Sequence, residues 1–370
     1  MLLYCNSQEK KVVKQPEKPK VVDSFTQVTM SFAGDVMMHL PQITAAAIDG
    51  KDQYDFSTVF EKISPKIQKA DISLANIETT FGGKPYTGYP QFSAPDTLAW
   101  FMKQAGFDVI VTANNHTADR GTKGIVGTLD ALEKYGFAYT GSFKNADERA
   151  LKYPLMLEKN GIKLAILNCT YGTNGLPVPT PLIVNHIDTA EIRRNVLKAR
   201  EKGAEIVILT IHWGTEYENN PNKEQKRLAN WFLENGIDAV IGSHPHVIQP
   251  AVWETFTPKN DSISRKGLVV YSLGNFISNQ RDRYRDGGML FEFTIRKNKF
   301  TNKTEIKDAG FYPSWVYIQP QPKAYYILPA ADYENDSTFI KPVTAKEQML
   351  RYLNDSRPHL LKHEGITEKK

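Results

Sequence analysis

Apolar positions along the chain fall into two alternating rhythms. In "QVTMSFAGD", Val28, Met30 and Phe32 alternate with polar residues until the run breaks at Gly34, the period-2 pattern of a strand. In "DTLAWFMKQAG" the apolar residues recur at helical spacing between Asp96, read as a helix N-cap, and Gly106, read as its stop. A helix therefore feeds a strand, and the order repeats. "AGFDVIVTANNH", "KGAEIVILTIHWG" and "NGIDAVIGSHPH" each pass from a helix-ending glycine through a β-branched strand into a polar cluster containing histidine. "EIRRNVLKAREKG" and "NKEQKRLANWFLENG" supply the helices before the last two, and "GIKLAILNCTYG" and "GLVVYSLGN" add two more strands. Glycine-stopped helices alternating with short apolar strands predict an α/β sheet with helices on its faces. No close repeat accompanies the pattern, which speaks against a solenoid.

Three segments follow. Residues 1–24 read as a polar tether and 25–300 as the main domain. Residues 301–370 read as a β-rich extension and tail, because "FYPSWVYIQPQPKAYYILPA" is strand-like in content but broken by prolines. It is expected as hairpins or a flap against the main domain. "TAKEQMLRYLNDS" predicts a late helix and "HEGITEKK" a frayed end, where His359 and His363 carry no chemistry.

Composition narrows the function classes. A length of 370 residues permits a large core. A net charge of +5 with 24% charged residues lacks the dense basic stripe of a nucleic-acid binder. Only Cys5 and Cys169 occur, which excludes a disulfide scaffold and a cysteine-ligated zinc site. No run of about 18 apolar residues is present to span a bilayer. "MLLYC" reads as the end of an apolar signal running into a lipid-modified cysteine, with "NSQEKKVVKQPEKPK" as the tether behind it. That places the protein outside the cytoplasm, anchored to a membrane. The alternative is a cytoplasmic tail with an incidental cysteine.

Six polar clusters follow strand-like runs. They are "FAGDVMMH" (Asp35, His39), "LANIETTFGG" (Asn76, Glu78), "TANNHTADRG" (Asn114, Asn115, His116, Asp119), "IHWGTEY" (His212, Glu216), "GSHPHV" (His244, His246) and "YSLGNF" (Asn275). Singly, each is an ordinary turn or a structural histidine. In open α/β sheets, however, ligands gather beyond the carboxyl ends of strands. Carboxylates, an amide and imidazoles on one edge form a mixed N/O set suited to Mn, Fe or Zn.

The order "GDVMMH", "NIE", "NNH", "IHWG", "GSHPH" resembles the binuclear metallophosphoesterases of the calcineurin-like fold. The wording "GDVMMH", "NNHTADRG", "HWGTEY", "GSHPHVIQ" and "YSLGNF" looks still more like the CapA-type proteins of poly-γ-glutamate and capsule biosynthesis, over roughly residues 27 to 295. The resemblance implies a metallophosphatase-like four-layer αββα sandwich holding one or two divalent ions. Carried over residue by residue, it makes Asp35, with His39, a ligand of one metal together with His246. Asn115, His212 and His244 would bind the second, and Glu78 stands where the phosphoesterases have a bridging Asp. His116 becomes the non-ligand acid, oriented by Asp119. Two cations about 3.5–4 Å apart activate water and neutralise charge on an ester oxygen. An Asn-x-Glu in place of Gly-Asp-x-x-Asp leaves one metal or two open.

Around this set, Asn76, Asn114, Glu216 and Asn275 are candidate substrate-binding groups. Arg281, Arg283 and Arg285 either receive an anionic polymer or phosphorylated substrate or pair internally with Asp282 and Asp286. Trp213 and Tyr217 either stack on substrate or pack in the core and rim. The expected role is synthesis or export of an anionic surface polymer with a metal-dependent hydrolase site; the alternative is a non-catalytic subunit binding polymer or partners in a membrane complex. The tether is testable by cell fractionation: Cys5→Ser should shift the protein from membrane to soluble fraction, and unchanged partition would reject the anchor.

Overall fold

The computed structural model describes residues 24–258 and 264–370; the expected lipid anchor at Cys5 lies outside the described residues. The chain opens with β1 (Phe25–Val36), followed by the short helices α1 (Leu40–Ala46), α2 (Ser57–Glu61) and α3 (Ser64–Ile67). Next come β2 (Ile72–Ile77), α4 (Thr97–Ala105), β3 (Val109–Val111), α5 (Gly121–Lys134) and β4 (Ala138–Thr140). A middle stretch carries β5 (Ser142–Phe143), α6 (Ala146–Lys152), β6 (Leu155–Lys159), β7 (Ile162–Thr170), β8 (Ile183–Val184) and α7 (Thr189–Glu201). It continues through β9 (Ile206–His212), α8 (Lys223–Glu234), β10 (Ala239–Ser243), β11 (Ala251–Phe256) and β12 (Arg265–Val270). The chain closes with β13 (Asn275–Ile277), β14 (Gly287–Asn298), β15 (Thr304–Pro320), β16 (Lys323–Pro329), α9 (Val343–Leu361) and β17 (Thr367–Glu368).

Two large sheets result. The first runs β16-β15-β14-β1-β2-β3-β4, with β13 beside β1 and β17 beside β15; the second runs β11-β12-β10-β9-β7-β6. β1 to β4 are mutually parallel, as are β7, β9, β10 and β12. Alternation along β1 decides what each face meets. Val28, Met30 and Phe32 join Leu74 from their own sheet and Leu164, Ile166, Ile208 and Ile241 from the other in one shared core. Ala33, Val36, Ala75 and Ile110 turn the other way, onto Ile43, Phe60, Leu98, Met102 and Leu129 of the helices. Leu167, Val207 and Leu209 of the second sheet meet Ile192, Val196, Leu228 and Phe232 of α7 and α8. Three apolar interfaces thus bind four layers, αββα, as the resemblance implies.

The segment beyond residue 301 is strand-rich and forms a hairpin, β15 with β16, as expected; the hairpin extends the first sheet and is not a separate flap. β15 pairs antiparallel with β14 and β16, and Phe311, Trp315 and Tyr317 enter the inter-sheet core. The end expected to fray is held as well. Ile366 is buried, β17 pairs with β15, and Arg357 clasps Glu368 at 2.8 Å. Gly106 stops α4 in the left-handed region at φ 110, but Asp96 caps nothing with its side chain and instead meets Lys134 at 3.0 Å.

One glycine fixes where the site begins. A Cβ on Gly34 would lie 2.0 Å from the carbonyl oxygen of Gly274, so only glycine lets β1 approach the β12–β13 turn closely enough for the Asp35 N–H to reach that carbonyl at 3.1 Å. Gly34→Ala should cost about 1–3 kcal/mol in urea unfolding, and an unchanged midpoint would contradict the close approach.

Candidate metal centre

The parallel registers align strand ends on one edge. Asp35 stands opposite Asn76 on β2 and Asn275 on β13, and His212 stands opposite Ser243 on β10 and Thr170 on β7. Glu78 follows β2 directly, and Asn115 and His116 lie in the turn after β3. After β10 the chain makes an unusual turn: His244 has φ 101 and His246 φ 59, both in the left-handed region. Such conformations are costly for a bulky residue and persist where the surroundings hold them. Here Asp35 holds both, with its Oδ2 3.4 Å from the His244 N–H and 3.1 Å from His246 Nδ1. The Pro245 carbonyl accepts the Tyr217 N–H at 2.8 Å and ties the turn to the loop after β9.

Two overlapping groups of donors form. Glu78, His244 and His246 offer ligand atoms within 4.8 Å of one another, and so do Asp35, Glu78 and His212. Glu78 belongs to both. Its Oε1 lies 3.5 Å from His212 Nε2 and 3.8 Å from His246 Nε2, while Asn115 Oδ1 lies 2.8 Å from His212 Nε2. Glu78 is fully buried, yet neither carboxylate oxygen has a hydrogen-bond partner, and His244 Nδ1 has none either. A buried carboxylate is stable only when neutralised or paired. Orphaned oxygens facing imidazoles and an amide oxygen are what a divalent cation would satisfy, so the residues present fit the metal that the resemblance implies.

The electrostatics agree. Burial, then the neighbouring Asp35 carboxylate, pushes Glu78 well above the ordinary glutamate range. Burial would also raise Asp35, but His246, His212 and the Asn76 amide outweigh it and hold this carboxyl ionised. Burial, followed by the neighbouring His244, drives His212 well down, and burial with His246 takes His244 down to about 3. Both rings are therefore neutral, the form that ligates metal.

His116 sits beside this group without sharing its donors. Its Nδ1 lies 2.8 Å from Asp119 Oδ2, which also accepts the Phe92 N–H at 2.7 Å, and the Phe92 ring stands edge-on to the imidazole at 4.7 Å. A carboxylate acceptor fixes the proton on Nδ1 and leaves Nε2 as the imidazole's working atom.

Other candidates separate by position. Asn76 Nδ2 donates to Asp35 Oδ1 at 2.8 Å, and Asn114 holds Asn76 Oδ1 at 3.2 Å, the Ile77 carbonyl at 2.6 Å and the His116 N–H at 3.0 Å; both brace the cluster from within. Asn275 Nδ2 is committed to Gln280 and the Arg285 carbonyl. His39 is outside both donor groups: it opens α1, takes the Asn279 N–H on Nδ1 at 3.3 Å, and is pushed by burial to about 4. Trp213 is a core residue and does not line the site. Its Nε1 donates to the Tyr271 carbonyl at 3.0 Å and its ring packs on Tyr271 and Phe232. Arg281 is likewise structural, bonded to the Val316 carbonyl and stacked on Trp315, while Arg283 is clamped by Asp355. Arg285 and Glu216 stand near the rim, Glu216 exposed and Arg285 over the Tyr217 ring.

Three neighbours escaped the sequence. The Tyr171 ring lies 4.6 Å from His244, and Asn174 Oδ1 takes the Asn115 amide at 3.2 Å. Tyr171 follows the end of β7, so the strand-edge rule that found the others reaches it too. Phe92, in a proline-rich loop 27 residues before Asp119 in the chain, gave no such signal.

A four-layer sandwich whose joined sheet edges carry this carboxylate–imidazole–amide cluster defines a protein of metallophosphatase-like fold. Residues 29–280 match the family described as bacterial capsule synthesis protein PGA_cap, and the chain belongs to that family. It is 28% identical over 285 residues to the capsule biosynthesis protein CapA of Bacillus anthracis, covering 74% of this chain and 65% of that one, so it spans just under two thirds of that relative. It is 27% identical over 298 residues to the PGA biosynthesis protein CapA of Bacillus subtilis (strain 168), covering 76% and 72%. A putative 5′-nucleotidase from Staphylococcus aureus shares the fold at a TM-score of 0.50 and 12% identity, covering 89% of this chain and 58% of that one.

Glu78 makes the cluster's cation demand measurable. An acid whose folded pKa is raised loses stability as pH climbs from its unfolded value through the folded one. In chelator, Glu78→Gln should therefore be more stable than wild type at pH 8, with the gap closing towards the unfolded pKa of 4.5. Added Mn should raise the melting temperature of wild type more than that of the variant. A variant less stable than wild type in chelator at pH 8 would contradict the reading.

Proposed function

We propose that this protein acts outside the cytoplasm in the synthesis or export of an anionic surface polymer, poly-γ-glutamate or capsule. In this reading its centre carries out metal-dependent hydrolysis of a phosphoester or a related bond. The observation that carries the chemical part is Glu78, buried, unpartnered and common to both donor groups. Membership of the capsule synthesis family and the names of the two relatives support the biological part. A Cys5 lipid anchor would tether the chain beside membrane subunits that make the polymer.

Asp35, Glu78, Asn115, His212, His244 and His246 would hold the metal, and nitrogen and oxygen donors without thiolate suit Mn, Fe or Zn. Bound there, divalent ions supply an activated water and charge neutralisation at the ester oxygen. The chain's own residues do the rest. Asp35 accepts from Asn76 and from the turn at His244 and His246, and so keeps the donors aimed without reorganisation. His116, with Nδ1 locked on Asp119, presents Nε2 to stabilise a substrate oxygen or to pass a proton to the departing one. The buried Phe92 ring packs edge-on against that imidazole.

The test joins metal analysis with turnover. Purified protein should contain a divalent metal and hydrolyse a member of a phosphodiester and phosphomonoester panel with Mn added. His116→Ala should lower kcat by about 10²–10⁴-fold with metal content unchanged. No bound metal, no turnover and a variant indistinguishable from wild type would leave a non-catalytic subunit that holds polymer or partners.

A further inference from the structure

The arginine-rich loop after β13 contains three guanidiniums, and the structure treats them differently. Arg281 is largely buried between Trp315 and the Val316 carbonyl, near the buried carboxylate of Asp286. Arg283 forms a two-pronged pair with Asp355 on α9, at 2.9 and 2.7 Å. Both are spent on holding the loop and the last helix. Arg285 is spent differently. Its guanidinium lies over the Tyr217 ring at 3.6 Å, and its ion pair is a single contact from one terminal nitrogen to Asp282, 3.0 Å away, whose side chain is 76% exposed. Such an exposed, one-point pair holds a guanidinium weakly and leaves the other edge of the fork free for an anion.

Its platform, in contrast, is rigid and joined to the metal centre. Tyr217 has φ 68, a left-handed conformation rarely adopted by an aromatic residue. Its N–H is bonded to the Pro245 carbonyl between the two ligand histidines, and its ring lies 6.0 Å from that of His246. The loop beneath is pinned by a buried amide pair: Gln225 donates to Gln249 Oε1 at 2.9 Å, and Gln249 donates to the Glu218 carbonyl at 2.7 Å. Arg285 is anchored from its own side too, because its carbonyl accepts Asn275 Nδ2 at 2.8 Å, and Asn275 stands in register with Asp35. Two loops from different sheets are thus fixed so that one planar cation is stacked at the rim of the cluster. Backbone strain kept by several independent bonds at such a place is the mark of a functional constraint.

We propose that Arg285, stacked on Tyr217, is a specificity-determining residue that receives a second anionic group of the substrate, a carboxylate or phosphate flanking the bond held at the metal centre. The inference rests on the proposed reading of that centre and adds what selects its substrate. A planar fork on an aromatic face is suited to a planar carboxylate or a phosphate, and lysine would not reproduce it. Glu216, the exposed residue before Tyr217, is the neighbouring charge of opposite sign and raises the cost of any anion docked there.

Equilibrium binding to the full, Mn-loaded chain tests this, with three probes: a γ-linked glutamate decamer, its neutral counterpart of γ-linked isoglutamine (each α-carboxylate replaced by a carboxamide), and a linear decaphosphate. Wild type should prefer at least one anionic probe to the neutral one by about tenfold. Arg285→Met should erase that preference, Arg285→Lys should restore part of it, and Glu216→Gln should strengthen it. Whichever anionic probe shows the dependence names the carboxylate or the phosphate as the group received. Metal content and melting temperature of each variant, measured on the same samples, separate a lost contact from a lost fold. Equal preference in wild type and Arg285→Met, or no preference in wild type, would overturn the assignment. Because the readout is binding, absent turnover would count against the hydrolase reading alone, and a wild-type preference that is missing or survives Arg285→Met, with turnover intact, would count against Arg285 alone.

Discussion

A carboxylate sealed from water with neither oxygen satisfied is the constraint around which this molecule is arranged. Glu78 sits at zero exposure, next to an ionised Asp35 and within 4 Å of two imidazole nitrogens. Among the described residues no hydrogen-bond partner reaches either oxygen, so without a cation burial favours its protonated form. An isolated buried charge of this kind costs several kcal/mol, and a fold retains it only if something that binds repays the cost. The same burial keeps His212 and His244 deprotonated, the state that a cation requires, while Glu78 would give up its proton as the cation binds.

The architecture explains how such a cluster can be assembled. Two parallel-stranded sheets face each other across one apolar core, and their carboxyl edges meet. Residues distant in sequence then arrive within hydrogen-bond range: Asp35 and His246 are 211 positions apart and 3.1 Å from each other. Main-chain pairing sets the register, so the donors are as fixed as the strands. The turn at His244 and His246 is the place where that rigidity is spent, since both residues are held in left-handed geometry by contacts to Asp35 and to the Tyr217 loop.

Much of this was legible because the chemistry follows directly from strand ends. Asp35, Glu78, Asn115, His212, His244 and His246 all lie within a few residues of a strand terminus, and short apolar runs ended by polar residues announce those termini. Misplaced residues illustrate the limits of the same rule. Trp213 follows His212, and successive side chains on a strand point to opposite faces; a histidine aimed at the site edge sends its neighbour into the helix-side core, where Trp213 lies. His39 is four residues past Asp35, far enough for the chain to enter α1, where Gln42 and the Asn279 N–H engage it. The segment after residue 301 was legible as strands and as a hairpin, β15 with β16, whereas its pairing to β14 and the core contacts of Phe311, Trp315 and Tyr317 are revealed only by the folded sheet. Arg281, Arg283 and Arg285 look equivalent in sequence, and tertiary partners alone distinguish them.

The central claim is that the cluster around Glu78 is built for a divalent cation. Anomalous diffraction from crystals grown with Mn tests it most directly. The account predicts metal peaks within ligand distance of Glu78, with His212 and Asn115 or Asp35 and His246 completing the coordination. Crystals soaked at saturating Mn that show no peak at Glu78, with its carboxylate instead bonded to protein or water, would contradict it.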